Sequence, residues 1–74
     1  MDEHVPERPS WDCGKCGEAW PCANAKSALA HEYLGDRSSL IVYVGICHWE
    51  AFDDHAAAGT IPDDLADRFF GWIR

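Results

Sequence analysis

Basic residues are scarce in this 74-residue chain, and no two of them are adjacent. Six lysines and arginines stand against 13 aspartates and glutamates, which gives a formal net charge of −7. The basic residues are scattered along the chain: Arg8, Lys15, Lys26, Arg37, Arg68 and Arg74. Proteins that bind nucleic acids or anionic membrane surfaces usually present a basic patch. We therefore expect neither nucleic acid nor a membrane as a partner.

Long hydrophobic runs are also missing. The longest, "LIVYVGIC" at residues 40–47, is too short to span a bilayer. The opening "MDEHVPERPS" lacks the basic start and apolar segment of a secretory signal. We therefore expect a cytoplasmic protein. In a reducing compartment, clustered cysteines are typical of metal-binding or catalytic sites rather than of disulfides.

The length of the chain predicts one small domain. A composition that is 47% hydrophobic and 12% aromatic is typical of a globular protein. A core of this size rarely supplies more than about 3–5 kcal/mol, so a metal or a disulfide would stabilise it usefully. Pro6 and Pro9 lie among charged residues and predict a flexible N-terminal arm over residues 1–10. Residues 11–74 would then form a single domain.

One helix is predicted after the cysteine-rich segment and another at the C-terminal end of the chain. The first follows "PCANAKSALAHEYLG", with Pro21 at the first helical position and Gly35 just past the last. The last follows "TIPDDLADRFFGWIR", with Thr60 as its cap. Its apolar stripe has spacing i, i+4, i+7, i+8 and consists of Leu65, Phe69, Trp72 and Ile73.

The middle segment allows two interpretations. Residues 40–44 are β-branched and aromatic, which favours a strand. The length up to Ala58 favours a helix instead, with Ser38 or Ser39 as N-cap and Gly59 as terminator. Four residues recur at helical spacing on one face: Leu40, Val44, Cys47 and Ala51. We therefore predict a helix.

Three cysteines in "WDCGKCGEAWPCA" carry the main chemical signal. Cys13 and Cys16 have the two-residue spacing that lets both thiolates reach one zinc ion, and Gly17 permits the tight turn after them. Cys22 lies at the start of the predicted first helix, where the helix dipole favours a thiolate. The competing interpretations are a C-x-x-C redox pair, a disulfide or free thiols. A redox pair usually occurs in a βαβ context, which this sequence does not offer.

Tetrahedral zinc needs a fourth ligand. We predict Cys47, with His48 as the next choice, so the predicted metal ligands are Cys13, Cys16, Cys22 and Cys47. Less favoured candidates are His31, His55 and, as an outsider, Asp54. Cys47 could instead be a small buried core residue. His31 and His55 are expected to face solvent, and His4 is expected to belong to the flexible arm without a local role. Three or four thiolates would accept zinc or iron; we predict Zn²⁺.

The tryptophans and the acidic residues suggest surfaces rather than catalysis. Trp11 and Trp20 bracket the cysteine loop and are expected to dock it on the helices, whereas an outward Trp49 would indicate a partner surface. Six acidic residues form either a solvated face or a surface that attracts a basic partner: Glu50, Asp53, Asp54, Asp63, Asp64 and Asp67. There is no Gly-rich phosphate loop, nucleophile elbow or metalloprotease histidine pair. We predict no catalytic residues and no organic cofactor.

Two segments resemble a group of short actinobacterial proteins. They are "RPSWDCGKCGEAWPCANAKSAL", which carries the pattern R-P-x-W-x-C-x-x-C-x-x-x-W-P-C, and "RFFGWIR", which carries F-x-x-W-x-R. The resemblance covers most of the chain. It implies that Cys13, Cys16 and Cys22 belong to the group's motif, and it favours a helix in the middle segment. Many proteins of the group carry the label flavin reductase, which the resemblance brings as an alternative activity.

The sequence thus predicts a mainly α fold: a small zinc-stabilised domain whose N-terminal cysteine-rich knuckle loop packs on two or three helices. The expected function is a structural-zinc protein that acts as a non-enzymatic accessory or protein-interaction module with an unidentified protein partner. The alternative is an enzyme, either a small redox protein or a flavin reductase.

Overall fold

Three helices follow a small hairpin in the computed structural model, which describes residues 4–73. The elements in chain order are β1 (Pro6–Glu7), β2 (Asp12–Cys13), α1 (Ala23–Glu32), α2 (Arg37–Ala57) and α3 (Leu65–Phe70). The strands are antiparallel, with Pro6 opposite Cys13 and Glu7 opposite Asp12. The predicted mainly helical fold with a cysteine-rich N-terminal loop is confirmed. Within the segment expected as an arm, residues 6–10 form the first strand and the turn of this hairpin. Residues 1–3 and Arg74 lie outside the described residues.

Helix α2 resolves the ambiguity of the middle segment in favour of a helix. It runs for 21 residues without a break. The four residues that recur at helical spacing are its buried positions: Leu40, Val44, Cys47 and Ala51. The apolar face therefore outweighs the β-propensity of the individual side chains, because it buries one continuous stripe against the rest of the chain.

The start of α2 differs from the prediction. Its N-cap is Asp36, whose carboxylate accepts a hydrogen bond from the backbone N–H of Ser39 at 3.2 Å. Ser38 and Ser39 already lie inside the helix. Gly35, with φ +82°, lets the chain reverse directly before the cap. An aspartate there also places a negative charge at the positive end of the helix dipole.

The two flanking helices are shorter than predicted. Helix α1 begins after an N-cap at Cys22, so Pro21 lies outside it. The N-cap position of α3 is Asp64 rather than Thr60, although the Asp64 side chain makes no capping hydrogen bond. A turn in which the Leu65 N–H donates to the Pro62 carbonyl precedes the helix. Trp72 and Ile73 follow the end of α3 but still pack against the core.

The core lies where the cysteine loop meets α2 and α3. Its buried members are Trp11, Cys13, Trp20, Cys22, Ala25, Leu40, Val44, Cys47, Ala51, Leu65 and Phe69. Phe69 and Ala51 are completely enclosed. Within residues 4–73, no helix combines the length and the apolar character that crossing a bilayer requires.

Candidate metal centre

The backbone around Cys13 forms a tight turn closed by three hydrogen bonds. The N–H groups of Cys13, Gly14 and Gly17 donate to the carbonyls of Glu18, Val5 and Cys13 at 2.6, 2.9 and 2.8 Å. Gly17 has φ +78°, a conformation that residues with a side chain rarely adopt. This agrees with the prediction that Gly17 permits the tight turn after Cys16. The turn carries Cys13 and Cys16 on one short stretch of backbone, and the adjoining N-terminal segment is tied to it through Val5.

Four metal-binding side chains converge at this turn: His4, Cys13, Cys16 and Cys22. One ligand atom from each lies within 4.8 Å of the others. His4 Nδ1 lies 3.2 Å from Cys13 Sγ and 3.4 Å from Cys22 Sγ. In a tetrahedral zinc site, Zn–S bonds of about 2.3 Å and Zn–N bonds of about 2.0 Å place neighbouring ligand atoms about 3.5–3.8 Å apart. The two separations from His4 lie slightly below these values and the 4.8 Å bound lies above them, so small side-chain adjustments would place all four atoms around one tetrahedral metal ion.

His4 is the ligand-type residue that sequence reasoning missed. The indole N–H of Trp20 donates to the His4 carbonyl at 3.0 Å, and the pairing of β1 with β2 brings the chain before Pro6 alongside Cys13. The signal in the sequence was a histidine nine residues before a C-x-x-C pair. Two prolines and several charges between them suggested a flexible arm instead, since the two-residue strands are too short to produce a pattern.

Cys47, the predicted fourth ligand, is not among the four residues of the cluster. It lies on the buried face of α2 and is 7% exposed. Burial raises the pKa of its thiol, although a hydrogen bond with the Tyr43 side chain acts in the opposite direction. Cys47 therefore behaves as a small core residue, which was the competing interpretation of this position.

Four further residues that the sequence offered as a fourth ligand also lie outside the cluster. The ring of His48 packs on Phe69 and Phe70, with centroids 5.7 and 5.2 Å apart. His31 is exposed on α1, as predicted, whereas His55 is half-buried rather than solvent-facing. Asp54 accepts hydrogen bonds from the side chain of Arg8 and from the indole of Trp11.

The electrostatics of the turn favour a thiolate at Cys13. Burial by itself raises the pKa of this thiol, but hydrogen bonds from the backbone N–H groups of Cys16 and Lys15 and from the side chains of Cys16 and His4 outweigh it and lower the pKa to about 6. At Cys16, the Glu18 backbone N–H lowers the pKa, yet partial burial and the neighbouring sulfurs of Cys13 and Cys22 raise it overall. A bound cation would offset this repulsion, because its charge favours the thiolate form of sulfurs at such short range.

The centre is joined to the helices by aromatic packing, as predicted for the two tryptophans of the loop. Trp11 and Trp20 are 2% and 3% exposed, and their rings lie 5.9 and 6.0 Å from the ring of Phe69 on α3. The Trp11 indole N–H also donates to Asp54 on α2 at 2.7 Å. The loop is therefore fastened to α2 and to α3 by different contacts of the same side chain.

Arg68 adds a polar connection that no sequence pattern indicated. Its Nε and one terminal nitrogen donate to the carbonyls of Trp20 and Trp11 at 2.8 and 2.5 Å. These carbonyls flank the cysteine turn, so one arginine on α3 holds both sides of the loop. The guanidinium lies 5.5 Å from the centre of the Phe69 ring.

The donor set determines what the centre can do chemically. Four protein ligands complete a tetrahedral shell and leave no position for water or substrate, which is the arrangement of structural rather than catalytic zinc sites. Comparison of the chain with protein-family models, curated proteins and solved structures finds no match. The features of the chain that bear on its function are the geometry of this cluster and the surface of the helices.

Proposed function

We propose that the protein is a small structural-zinc protein in which His4, Cys13, Cys16 and Cys22 bind one Zn²⁺ ion. The observation that carries the proposal is the convergence of one nitrogen and three sulfur ligand atoms within 4.8 Å. Zinc suits this set better than iron, because a mixed imidazole and thiolate tetrahedron is typical of structural zinc. A reducing, cytoplasmic location belongs to the proposal, since it would keep the three thiols available for metal.

The metal would stabilise the part of the chain with the least regular structure. Residues 4–22 contain only two strands of two residues each. Zinc would tie together the segment before β1, the end of β2, the turn after it and the N-cap of α1, because each contributes one ligand. Binding free energy of this kind contributes directly to folding.

The biological role that we propose is non-enzymatic: an accessory or interaction module that binds another protein. A closed metal shell supports this role because it offers no open coordination position. Exposed apolar side chains on α2 support it as well, since such groups often mark partner surfaces. The net charge of −7 argues against nucleic acid and anionic membranes as that partner.

One observation favours a second candidate, a thiol redox protein. The pKa of Cys13 is lowered to about 6 and Cys16 lies beside it, which is the environment of a reactive dithiol. The flavin reductase label of the similar actinobacterial proteins suggests a different enzyme. An open groove of about 570 Å³ beside His4 has the volume of a small-ligand site, but it is lined mostly by apolar side chains without a phosphate cradle.

Native mass spectrometry and circular dichroism, before and after a strong chelator, test the zinc proposal. We expect one zinc per chain and loss of folded signal when it is removed. His4→Ala and Cys16→Ala should reduce metal retention, whereas the matched controls His31→Ala and Cys47→Ala should bind zinc at the wild-type stoichiometry. Equal metal binding by His4→Ala and His31→Ala would contradict the ligand assignment.

The same samples distinguish zinc binding from the two enzymatic candidates. A metal-free, folded chain that loses two daltons on oxidation would establish the redox candidate in place of zinc. A bound yellow chromophore, or nicotinamide oxidation that depends on added flavin, would establish a flavin reductase. The structural-zinc proposal expects neither result.

A further inference from the structure

The outward side of α2 carries three large apolar residues in line: Val42, Ile46 and Trp49. They are 63%, 57% and 63% exposed, although each belongs to a residue type that is usually buried. Their separations of four and three residues place them on one face of the helix, opposite the buried stripe of α2. We refer to Val42, Ile46 and Trp49 as the outer stripe. Single exposed apolar residues are common on protein surfaces, but a stripe at helical spacing is typical of a surface against which a second helix packs.

Trp49 presents an ordered aromatic ring at one end of the outer stripe. Its ring is stacked on Phe52, with centroids 5.8 Å apart and an angle of 8° between the planes. The stacking limits the rotamers of the indole while leaving it 63% exposed. A preordered tryptophan loses little entropy on binding, and this residue type is enriched among the energetic anchors of interfaces.

Negative charge flanks the Trp49 end of the outer stripe. Asp53 lies one turn further along α2, is exposed and forms no ion pair with any of residues 4–73. Glu50, beside Trp49, is reached only at 3.8 Å by Arg8, whose shorter ion pair is with Asp54 at 2.8 Å. The surface therefore offers an apolar stripe followed by Asp53, which has no ion-pair partner within residues 4–73, with Glu50 beside it.

A second copy of this chain matches the surface poorly. Arg37, in the first turn, is the single lysine or arginine of α2. Arg8 is already paired with Asp54, and Arg68 is directed at the loop carbonyls. Association of two copies would bring together two chains of charge −7, in each of which 13 acidic residues outnumber 6 basic ones. Charge complementarity therefore favours a basic partner over self-association.

We propose that the outer stripe docks an amphipathic helix of a partner protein, with apolar residues at matching spacing and a lysine or arginine that meets Asp53. This inference rests on the proposed role as an interaction module and specifies its surface and the chemistry of its partner. The stripe spans about 10 Å along the axis, which matches two turns of a partner helix. The apolar contacts would supply affinity, and the acidic end would select the sign and orientation of the partner.

Titration with model peptides tests the proposal on the zinc-loaded protein. The probes are two helical peptides with leucines at i, i+4, i+7 or i, i+3, i+7 and lysines around them, and two analogues in which glutamates replace the lysines. We expect at least one basic peptide to bind, and neither acidic analogue. Trp49→Ala should weaken binding by about tenfold or more, as expected for an anchor tryptophan. Asp53→Asn should weaken it by a few-fold and reduce its salt dependence.

Matched controls identify the surface. Leu34→Ala removes an apolar side chain that is 82% exposed but lies outside α2, and Asp63→Asn removes an exposed acid outside the helix. Both should bind like the wild type. The proposal is overturned if neither basic peptide binds, if Leu34→Ala weakens binding as much as Trp49→Ala, or if sedimentation shows a dimer that Trp49→Ala dissociates.

Zinc content and circular dichroism are recorded on every sample. A zinc-loaded, folded protein that binds no peptide rejects the docking surface while leaving the structural-zinc proposal intact. Peptide binding that depends on Trp49, by a folded chain that holds no zinc, has the opposite consequence: it supports the docking surface and rejects the metal.

Discussion

Arg68→Met is the substitution that tests most directly how the cysteine loop is attached to the helices. Methionine keeps an unbranched apolar stem but cannot donate to the carbonyls of Trp11 and Trp20, which Arg68 now reaches at 2.5 and 2.8 Å. Both carbonyls belong to tryptophans that are at most 3% exposed. The change therefore leaves two acceptors of the loop without their donors.

The magnitude follows from the two hydrogen bonds. A hydrogen bond from a charged donor contributes about 1.5–3 kcal/mol. Arg68 is only half-buried, so water competes for the guanidinium, and the lower end of this range is appropriate for each bond. We expect the free energy of unfolding to fall by about 3 kcal/mol. In a domain of this size that corresponds to a decrease in Tm of about 12–24 °C.

Thermal unfolding of the zinc-loaded proteins, followed by circular dichroism in excess zinc, measures the effect. Arg37→Met is the matched control, because Arg37 is exposed and forms no ion pair within residues 4–73. Its Tm should change by no more than about 4 °C, as expected for a surface substitution within about 0.5 kcal/mol. If the two variants melted at the same temperature, the conclusion that Arg68 fastens the loop would be refuted.

Two further substitutions test the packing and the charge around Trp11. Phe69→Ala removes the enclosed ring that contacts both loop tryptophans, and it should cost about 3–5 kcal/mol in urea unfolding; a cost below about 1 kcal/mol would show that the rings repack. Hydrogen bonds from Arg8 and Trp11 lower the pKa of Asp54 to about 2, so its contribution is present above its ordinary pKa and is lost as the pH falls from about 4 through 2. The stability difference between wild type and Asp54→Asn should shrink over that range; a difference independent of pH would argue against the ionised contact.

The helices could be predicted from the sequence because their signals are local and repeated. The buried residues of α2 recur at helical spacing, and this periodicity identified the helix despite the β-branched residues at its start. Helix ends were less accessible. Asp36, Ser38 and Ser39 are all acceptable caps, and the choice depends on where Gly35 reverses the chain.

The metal centre was accessible only in part. The C-x-x-C spacing and Cys22 lie within ten residues, so the chain can bring their sulfurs together whatever the fold. The fourth position depends on tertiary structure. Cys47 and His4 were both chemically suitable, and the sequence carries no periodic signal for a hairpin with strands of two residues.

The sequence by itself determined the features that depend on residues close together in the chain: three clustered thiols, an excess of acidic residues and the apolar face of α2. Only the tertiary structure decided which distant groups meet them. It turns the N-terminal segment back so that His4 joins the thiols, buries Cys47 in the core, and brings Arg68 and Phe69 against the tryptophans of the loop. The physical reason differs between these contacts. His4 reaches the thiols through a hairpin too short to leave a periodic pattern. The contacts of Arg68 and Phe69 join residues far apart in the chain and depend on how the helices pack.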